Sequence, residues 1–202
     1  MPRDPSAYDQ RYFDRWYRDP AHRVFTGAER TRRVAAVIAL SEYVLGRRLR
    51  SVLDIGAGEG HWRTPLLRAR PSLRYEGVDP SPYVVQRFGR RRGIRLGDIT
   101  TLDPADLPGP FDLVLAVGFL NLLPRPVLRR SLDRIGPLIG GVALLELFTD
   151  EEALSGDVRE YHRGSVASYR RMTRAAGLVG VGLHLYARQE LAEHMGMLER
   201  TR

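Results

Sequence analysis

The sequence lacks cysteine altogether in a chain of 202 residues. Disulfide frameworks and thiolate metal sites are therefore excluded, and so is any reaction that needs a cysteine nucleophile. Apolar runs long enough to cross a membrane are also missing, and charges interrupt the N-terminus where a signal peptide would need an apolar segment. We expect a soluble, cytoplasmic protein with one main core and no metal site.

Lysine is absent as well, since all 32 residues counted as Lys or Arg are arginines, and the formal net charge is +8. An excess of this size can attract nucleic acid. The arginine pairs are scattered along the chain, however, and the only dense run is Arg90-Arg91-Arg92, which we expect to end a helix. This distribution favours solvated helix faces and makes a nucleic-acid partner unlikely.

Short apolar runs and helical patterns alternate through most of the chain, which predicts an α/β fold with a doubly wound, mostly parallel sheet. Helical spacing recurs near residues 61–69, 82–89, 125–136 and 165–176. The predicted strands are Ser51–Ile55, Arg74–Asp79, Ile94–Leu96, Phe111–Val117, Val142–Phe148 and Leu178–Tyr186.

The two ends of the chain differ from this middle part. An aromatic segment from Tyr8 to Tyr17 precedes a helix that starts near Ala28 and ends at Gly46, so we expect residues 1–46 to form a helical cap or lid over a core of residues 47–202. Residues 189–202 fit a helix and an alternating strand equally well, and both remain open.

A glycine-rich turn follows the first predicted strand and reads Asp54-Ile55-Gly56-Ala57-Gly58-Glu59-Gly60. Glycines let the backbone approach a ligand closely and adopt positive φ. A dinucleotide-binding turn would need a third glycine where His61 stands, so a nicotinamide cofactor is disfavoured. The turn instead resembles the first motif of class I S-adenosylmethionine (SAM) dependent methyltransferases, which has an acidic residue followed by three alternating glycines.

That resemblance extends in order along residues 28 to 187 and implies a seven-stranded, or possibly six-stranded, Rossmann-like sheet with SAM as cofactor. Asp79, about 20 residues after the turn, matches the acid that accepts the ribose hydroxyls. Pro80 and Ser81 follow it on the adenine side, and Asp98 with Ile99 matches the motif that binds the adenine amino group. Val117 and Gly118 match the strand end below the methionine part of SAM. The resemblance thus implies cofactor contacts at Asp54, Gly56, Ala57, Gly58, Glu59, Gly60, Asp79, Pro80, Ser81, Asp98, Ile99, Val117 and Gly118.

The motifs that the sequence lacks restrict the range of possible methyl acceptors. The Asn/Asp-Pro-Pro-Tyr signature of enzymes that methylate amino groups of DNA, glutamine or adenine is replaced by Gly118-Phe119-Leu120-Asn121, and the lack of cysteine excludes attack on a pyrimidine ring. We therefore expect a small-molecule acceptor, methylated at oxygen or nitrogen. His162 is the first candidate for a general base because histidine titrates near neutrality, and Asn121 and Glu146 are the next candidates.

Two alternatives remain open at this point. The arginines could guide an RNA or protein substrate to a methyltransferase, and the absence of an unmistakable base is also compatible with a non-catalytic SAM-binding or nucleotide-binding regulatory module. The N-terminal aromatic residues could form a lid over the acceptor or simply pack against the sheet edge.

Overall fold

The computed structural model describes residues 4–23, 25–154, 158 and 160–195. Residues 1–3 of the predicted cap and 196–202 of the ambiguous C-terminal segment lie outside the described residues. None of the described helices is long and apolar enough to cross a membrane.

One sheet of seven strands organises the chain, in the order β3-β2-β1-β4-β5-β7-β6. Neighbouring strands from β3 to β5 are parallel, whereas β7 is antiparallel to both β5 and β6. The predicted mostly parallel sheet is therefore confirmed. The strands are β1 Ser51–Ile55, β2 Arg74–Asp79, β3 Ile94–Leu96, β4 Phe111–Ala116, β5 Ile139–Leu145, β6 Leu178–Gly182 and β7 Leu185–Arg188.

Helices cover both faces of this sheet. Short π-helical turns at Asp14–Arg18 and Val85–Gly89 extend α1 and join α4 to α5. The long helix α2 begins with a reciprocal capping box between Thr26 and Glu29 and ends at Gly46, whose φ of 63° suits glycine. The helices are α1 Gln10–Phe13, α2 Gly27–Leu45, α3 Arg63–Ala69, α4 Pro82–Val84, α5 Arg90–Arg92, α6 Arg125–Ile135, α7 Val166–Ala175 and α8 Gln189–Met195.

The two faces of the sheet form separate parts of the core. On one face Val34 and Ile38 of α2 pack with Val52 and Leu113 of the central strands. On the other face α6 and α7 pack on the opposite side of the same strands. The helix α2 thus shares the core of the sheet, and the division into a cap of residues 1–46 and a core of residues 47–202 stays a prediction.

One predicted strand is wrong. Residues 178–186 form two strands joined by a tight turn, in which Leu183 and His184 have φ values of 52° and 59°. Neither residue type signals a turn that needs positive φ, so the pattern of alternating apolar residues concealed it. His184, which we expected on a strand, lies in this turn. After β7 the chain continues as the helix α8, and this resolves the described part of the ambiguous segment.

Candidate functional site

Two connected cavities lie at the carboxyl ends of the parallel strands, where open α/β sheets bind ligands. The first lobe holds about 820 Å³ of empty space and extends over Asp79 and Asp98. The second lobe holds about 1250 Å³ and extends over Asp54 and Glu146. Both lobes share the residues of the passage between them, which are Tyr12, Tyr17, Gly56, Val117, Gly118 and Leu122.

The glycine turn forms the floor of the passage. Two backbone hydrogen bonds anchor it, because Gly56 and Ala57 donate to the carbonyl oxygen of Val78 at 2.8 and 3.1 Å. Gly56 and Gly58 have φ values of 65° and 52°. A Cβ on Gly56 would lie 2.6 Å from the Phe119 ring, so the turn requires glycine for space as well as for conformation.

Asp79 is nearly fully buried at the end of β2. Its two carboxylate oxygens accept hydrogen bonds from the backbone N–H groups of Gly58, at 2.7 Å, and Ser81, at 2.8 Å. Burial raises the pKa of Asp79 to about 6, although both hydrogen bonds act in the opposite direction. The Ser81 hydroxyl donates to the Tyr8 carbonyl oxygen at 2.6 Å, so this side chain ties the N-terminal segment to the site and does not line either lobe.

Asp98 and Ile99 follow β3 and line the first lobe together with Pro80. The carboxylate of Asp98 accepts a hydrogen bond from the Thr100 backbone at 2.7 Å, and the side chain is half-buried. Ile99 is buried against the sheet. The first lobe therefore combines two carboxylates with apolar surface.

Asp54 lies at the floor of the second lobe, near the end of β1. Burial raises its pKa to about 7, while a hydrogen bond of 2.6 Å from the Tyr75 hydroxyl acts in the opposite direction. A buried carboxylate is costly to ionise without a partner. A cationic group bound next to Asp54 would therefore stabilise its ionised form.

Glu59, one of the expected cofactor contacts, does not line either lobe. Its buried carboxylate accepts two hydrogen bonds from one guanidinium nitrogen of Arg18, at 2.8 and 2.7 Å. Gly60, next in the turn, has a φ of 73° and faces Ile94 and Arg92. Glu59 therefore ties the turn to Arg18, and Gly60 lets the turn adopt its backbone conformation.

The three candidate bases lie in different surroundings. Glu146, just after β5, is buried, lines the second lobe and forms an ion pair with Arg33 of α2. Asn121 is buried outside both lobes and donates to the Phe148 carbonyl oxygen, at 2.9 Å, and accepts from the Phe148 N–H, also at 2.9 Å. His162 is exposed and lines neither lobe. Of the three candidates, only Glu146 lines a lobe, and the choice of base stays a prediction.

The sequence did not predict several lining residues that lie within the first 33 positions of the chain. Arg33 lies over the Phe25 and Trp62 rings, at 5.1 and 5.4 Å from their centroids. Arg30, one turn earlier, approaches Nδ1 of His61 at 3.3 Å. Burial and the nearby Arg30 lower the pKa of His61 to about 4, so its imidazole is neutral near pH 7. The helical i, i+3 spacing of Arg30 and Arg33 was the available signal for a shared face.

Comparison with known proteins agrees with this architecture. Residues 53–140 match the family model described as a methyltransferase domain. No curated protein matches the chain.

Three solved structures illustrate the likeness in fold. The chain is similar to the SAM-bound amino pentose methyltransferase of Micromonospora echinaspora involved in calicheamicin biosynthesis, with a TM-score of 0.60 and 18% identity over 79% of this chain and 91% of that chain. Magnesium protoporphyrin IX methyltransferase of Synechocystis, with S-adenosylhomocysteine (SAH) bound, has a TM-score of 0.61 and 17% identity, covering 90% of this chain and 93% of that chain. The 1,6-didemethyltoxoflavin-N1-methyltransferase of Burkholderia thailandensis has a TM-score of 0.55 and 21% identity, over 79% of this chain and 78% of that chain. The chain thus shares the Rossmann-like fold of these structures, and residues 53–140 match a methyltransferase-domain model.

Proposed function

We propose that this chain, as a class I methyltransferase, transfers a methyl group from SAM to an oxygen or nitrogen of a small molecule. One observation carries the proposal: two carboxylates at neighbouring strand ends, Asp79 and Asp98, line a lobe that opens past a glycine turn into a second lobe. A nucleoside cofactor fits the first lobe, and a reactive group attached to it reaches the passage.

The first lobe would hold the nucleoside part of SAM. Asp79 offers carboxylate oxygens to the ribose hydroxyls, and Asp98 accepts from the adenine amino group. Pro80 and Ile99 supply apolar surface for the adenine ring. The lid residues Tyr8 and Tyr12 close this lobe from the side of the N-terminal segment.

The part of the second lobe next to the glycine turn would hold the methionine moiety. Its ammonium group is opposite in charge to Asp54, and its carboxylate is opposite in charge to Arg30. Gly56, Ala57 and Gly118 let the cofactor approach the backbone there. Bound SAM supplies a methyl group already activated by the sulfonium charge, so the protein's main task is to align the acceptor and exclude water.

The two lobes also favour a small acceptor over the RNA or protein alternative. The second lobe is bounded by the N-terminal segment on one side and by Phe148 and Tyr161 on the other. A nucleic-acid substrate would need an open groove with clustered arginines, whereas Arg33 is paired with Glu146 inside the lobe. A cytoplasmic location is part of the same proposal.

Methyl transfer into separated cell fractions tests the proposal. The protein is incubated with SAM carrying a tritiated methyl group, together with a small-molecule extract, total RNA or total protein in separate reactions. We expect label only with the small-molecule extract. Label in RNA or protein would favour the macromolecular alternative, and SAM binding without label in any fraction would favour the regulatory module.

A further inference from the structure

The second lobe has an unusually aromatic lining. Seven rings from separate parts of the chain line it: Tyr12, Trp16, Tyr17, Phe25, Trp62, Phe148 and Tyr161. Phe148 and Tyr161 are nearly parallel, with an interplanar angle of 12°. Both tryptophans of the chain are among these residues. Flat aromatic surfaces of this kind favour flat aromatic ligands, which they contact by stacking or edge-to-face packing.

The charged and titratable groups that line the lobe form two sets. Asp54, Arg30 and His61 lie next to the glycine turn, where the proposed function places the methionine moiety. Glu146, just after β5, and Arg33, on α2, also line the lobe. Because these two form an ion pair, they add no net charge to the lobe.

We infer that the acceptor is an uncharged, planar aromatic or heteroaromatic molecule whose N–H or O–H group donates a hydrogen bond to Glu146. The inference rests on the proposed function and specifies its substrate class. An anionic acceptor would have to compete with Glu146 for Arg33. A sugar would leave most of its hydroxyl groups facing aromatic rings without partners.

The chemistry of the step follows from this placement. As the acceptor nitrogen or oxygen forms its bond to the methyl carbon, its proton passes to the Glu146 carboxylate. The electron pair of the broken sulfur–methyl bond stays on sulfur. The sulfonium and carboxylate charges are both neutralised, so the step balances without a further reactant.

Calorimetric titration of the SAH-loaded protein with four probes tests the inference. The probes are 2-naphthol, its methyl ether 2-methoxynaphthalene, the anion 2-naphthoate, and D-glucosamine. Because a hydrogen bond to a charged group contributes roughly 1.5–3 kcal/mol, we expect 2-naphthol to bind at least about tenfold more tightly than the ether. We expect weaker binding of 2-naphthoate and no measurable binding of glucosamine.

Two variants assign the effect to named residues. In Glu146→Gln the preference for 2-naphthol over its ether should fall below about threefold, whereas the matched variant Glu151→Gln, at an exposed carboxylate of the following loop, should retain it. Trp16→Leu should weaken both naphthalene probes by about tenfold, which is a larger loss than the same variant causes for SAH. Trp16 belongs to the lid, so this variant does not depend on the stability of the Glu146 ion pair.

The outcomes separate the inference from the function on which it rests. If 2-naphthoate or glucosamine binds best, or if no naphthalene probe binds while SAH does, the acceptor class is wrong and the methyltransferase proposal stands. If wild-type protein does not bind SAH at all, the proposed function itself fails.

Discussion

The first and second lobes share one passage but are built from the sequence in opposite ways. The first lobe is lined mainly by residues that end consecutive strands, so each important side chain lies within a short motif such as Asp79-Pro80 or Asp98-Ile99. The second lobe joins Tyr12, Trp16 and Arg33 from the first part of the chain to Trp62 and to Glu146, Phe148 and Tyr161. A cofactor site can therefore be read from local motifs, whereas an acceptor site depends on contacts between distant segments.

The largest effect should come from removing the charge of Asp79. Asparagine keeps one oxygen acceptor for the Gly58 or Ser81 N–H, whereas alanine would leave both buried N–H groups without a partner and would also destabilise the fold. We expect Asp79→Asn to weaken SAH binding by about hundredfold with little change in melting temperature, because two hydroxyl-to-carboxylate hydrogen bonds are weakened. The control is Asp133→Asn, at an exposed carboxylate on α6. Equal SAH affinity of both variants would remove Asp79 from the cofactor site.

The second lobe should depend on Asn121 for its shape and not for cofactor binding. Asn121→Ala leaves the Phe148 N–H and carbonyl groups without their side-chain partner and removes the donor to the Tyr169 hydroxyl, which keeps its bond to the His162 carbonyl oxygen. We expect a loss of about 2–4 kcal/mol in unfolding free energy. Tyr169→Phe removes only the hydroxyl and should cost about 1 kcal/mol. Urea unfolding measures both. A stable Asn121→Ala variant with impaired SAH binding would contradict this division of roles.

Lowering the pH should affect cofactor binding and stability in opposite directions. The folded-state pKa values of Asp79 and Asp54 are raised to about 6 and about 7, above the unfolded value of about 3.9. Their contribution to the stability of the ligand-free protein is therefore fully present below the unfolded pKa and is lost as pH rises through 6 to 7. SAH needs the carboxylate of Asp79, so its affinity should fall by about tenfold between pH 7 and pH 5.

Calorimetry and thermal melting from pH 5 to pH 8 measure the two trends. In Asp79→Asn the part of the affinity change that belongs to this residue should disappear. An affinity that does not change with pH in the wild-type protein would rule out an ionised Asp79 as the ribose-binding group.

The smallest effect should come from breaking the ion pair between Arg18 of the N-terminal segment and Glu59 of the glycine turn. Arg18→Gln removes the guanidinium from Glu59, but Arg18 is about half exposed, so water compensates part of the loss. We expect SAH affinity to fall by about threefold to fivefold, mainly through faster dissociation, which stopped-flow tryptophan fluorescence can follow. Arg11→Gln, at an exposed arginine of the same segment, is the control. Identical dissociation rates for both variants would separate lid closure from this ion pair.

The contrast between the lobes also explains how much the sequence alone could predict. β1, β2 and β3 were placed with the observed bounds because a glycine or an acidic residue marks the end of each strand. The turn at Leu183-His184 was missed because these two residues have positive φ although neither is a glycine or an asparagine. The pairing of Glu59 was not predicted because its partner, Arg18, is 41 residues away, and no local pattern indicates that pairing. His162 was favoured for its chemistry, and only the path of the chain shows that it is exposed.

Calorimetric titration of the wild-type protein with SAH tests the central claim most directly, because SAH needs no knowledge of the acceptor. We expect one SAH molecule to bind per chain with micromolar affinity, and an excess of adenosine, which should occupy the first lobe alone, to compete with it. Absence of binding heat at millimolar SAH, or binding that adenosine does not affect, would contradict the assignment of the first lobe to the nucleoside of SAM.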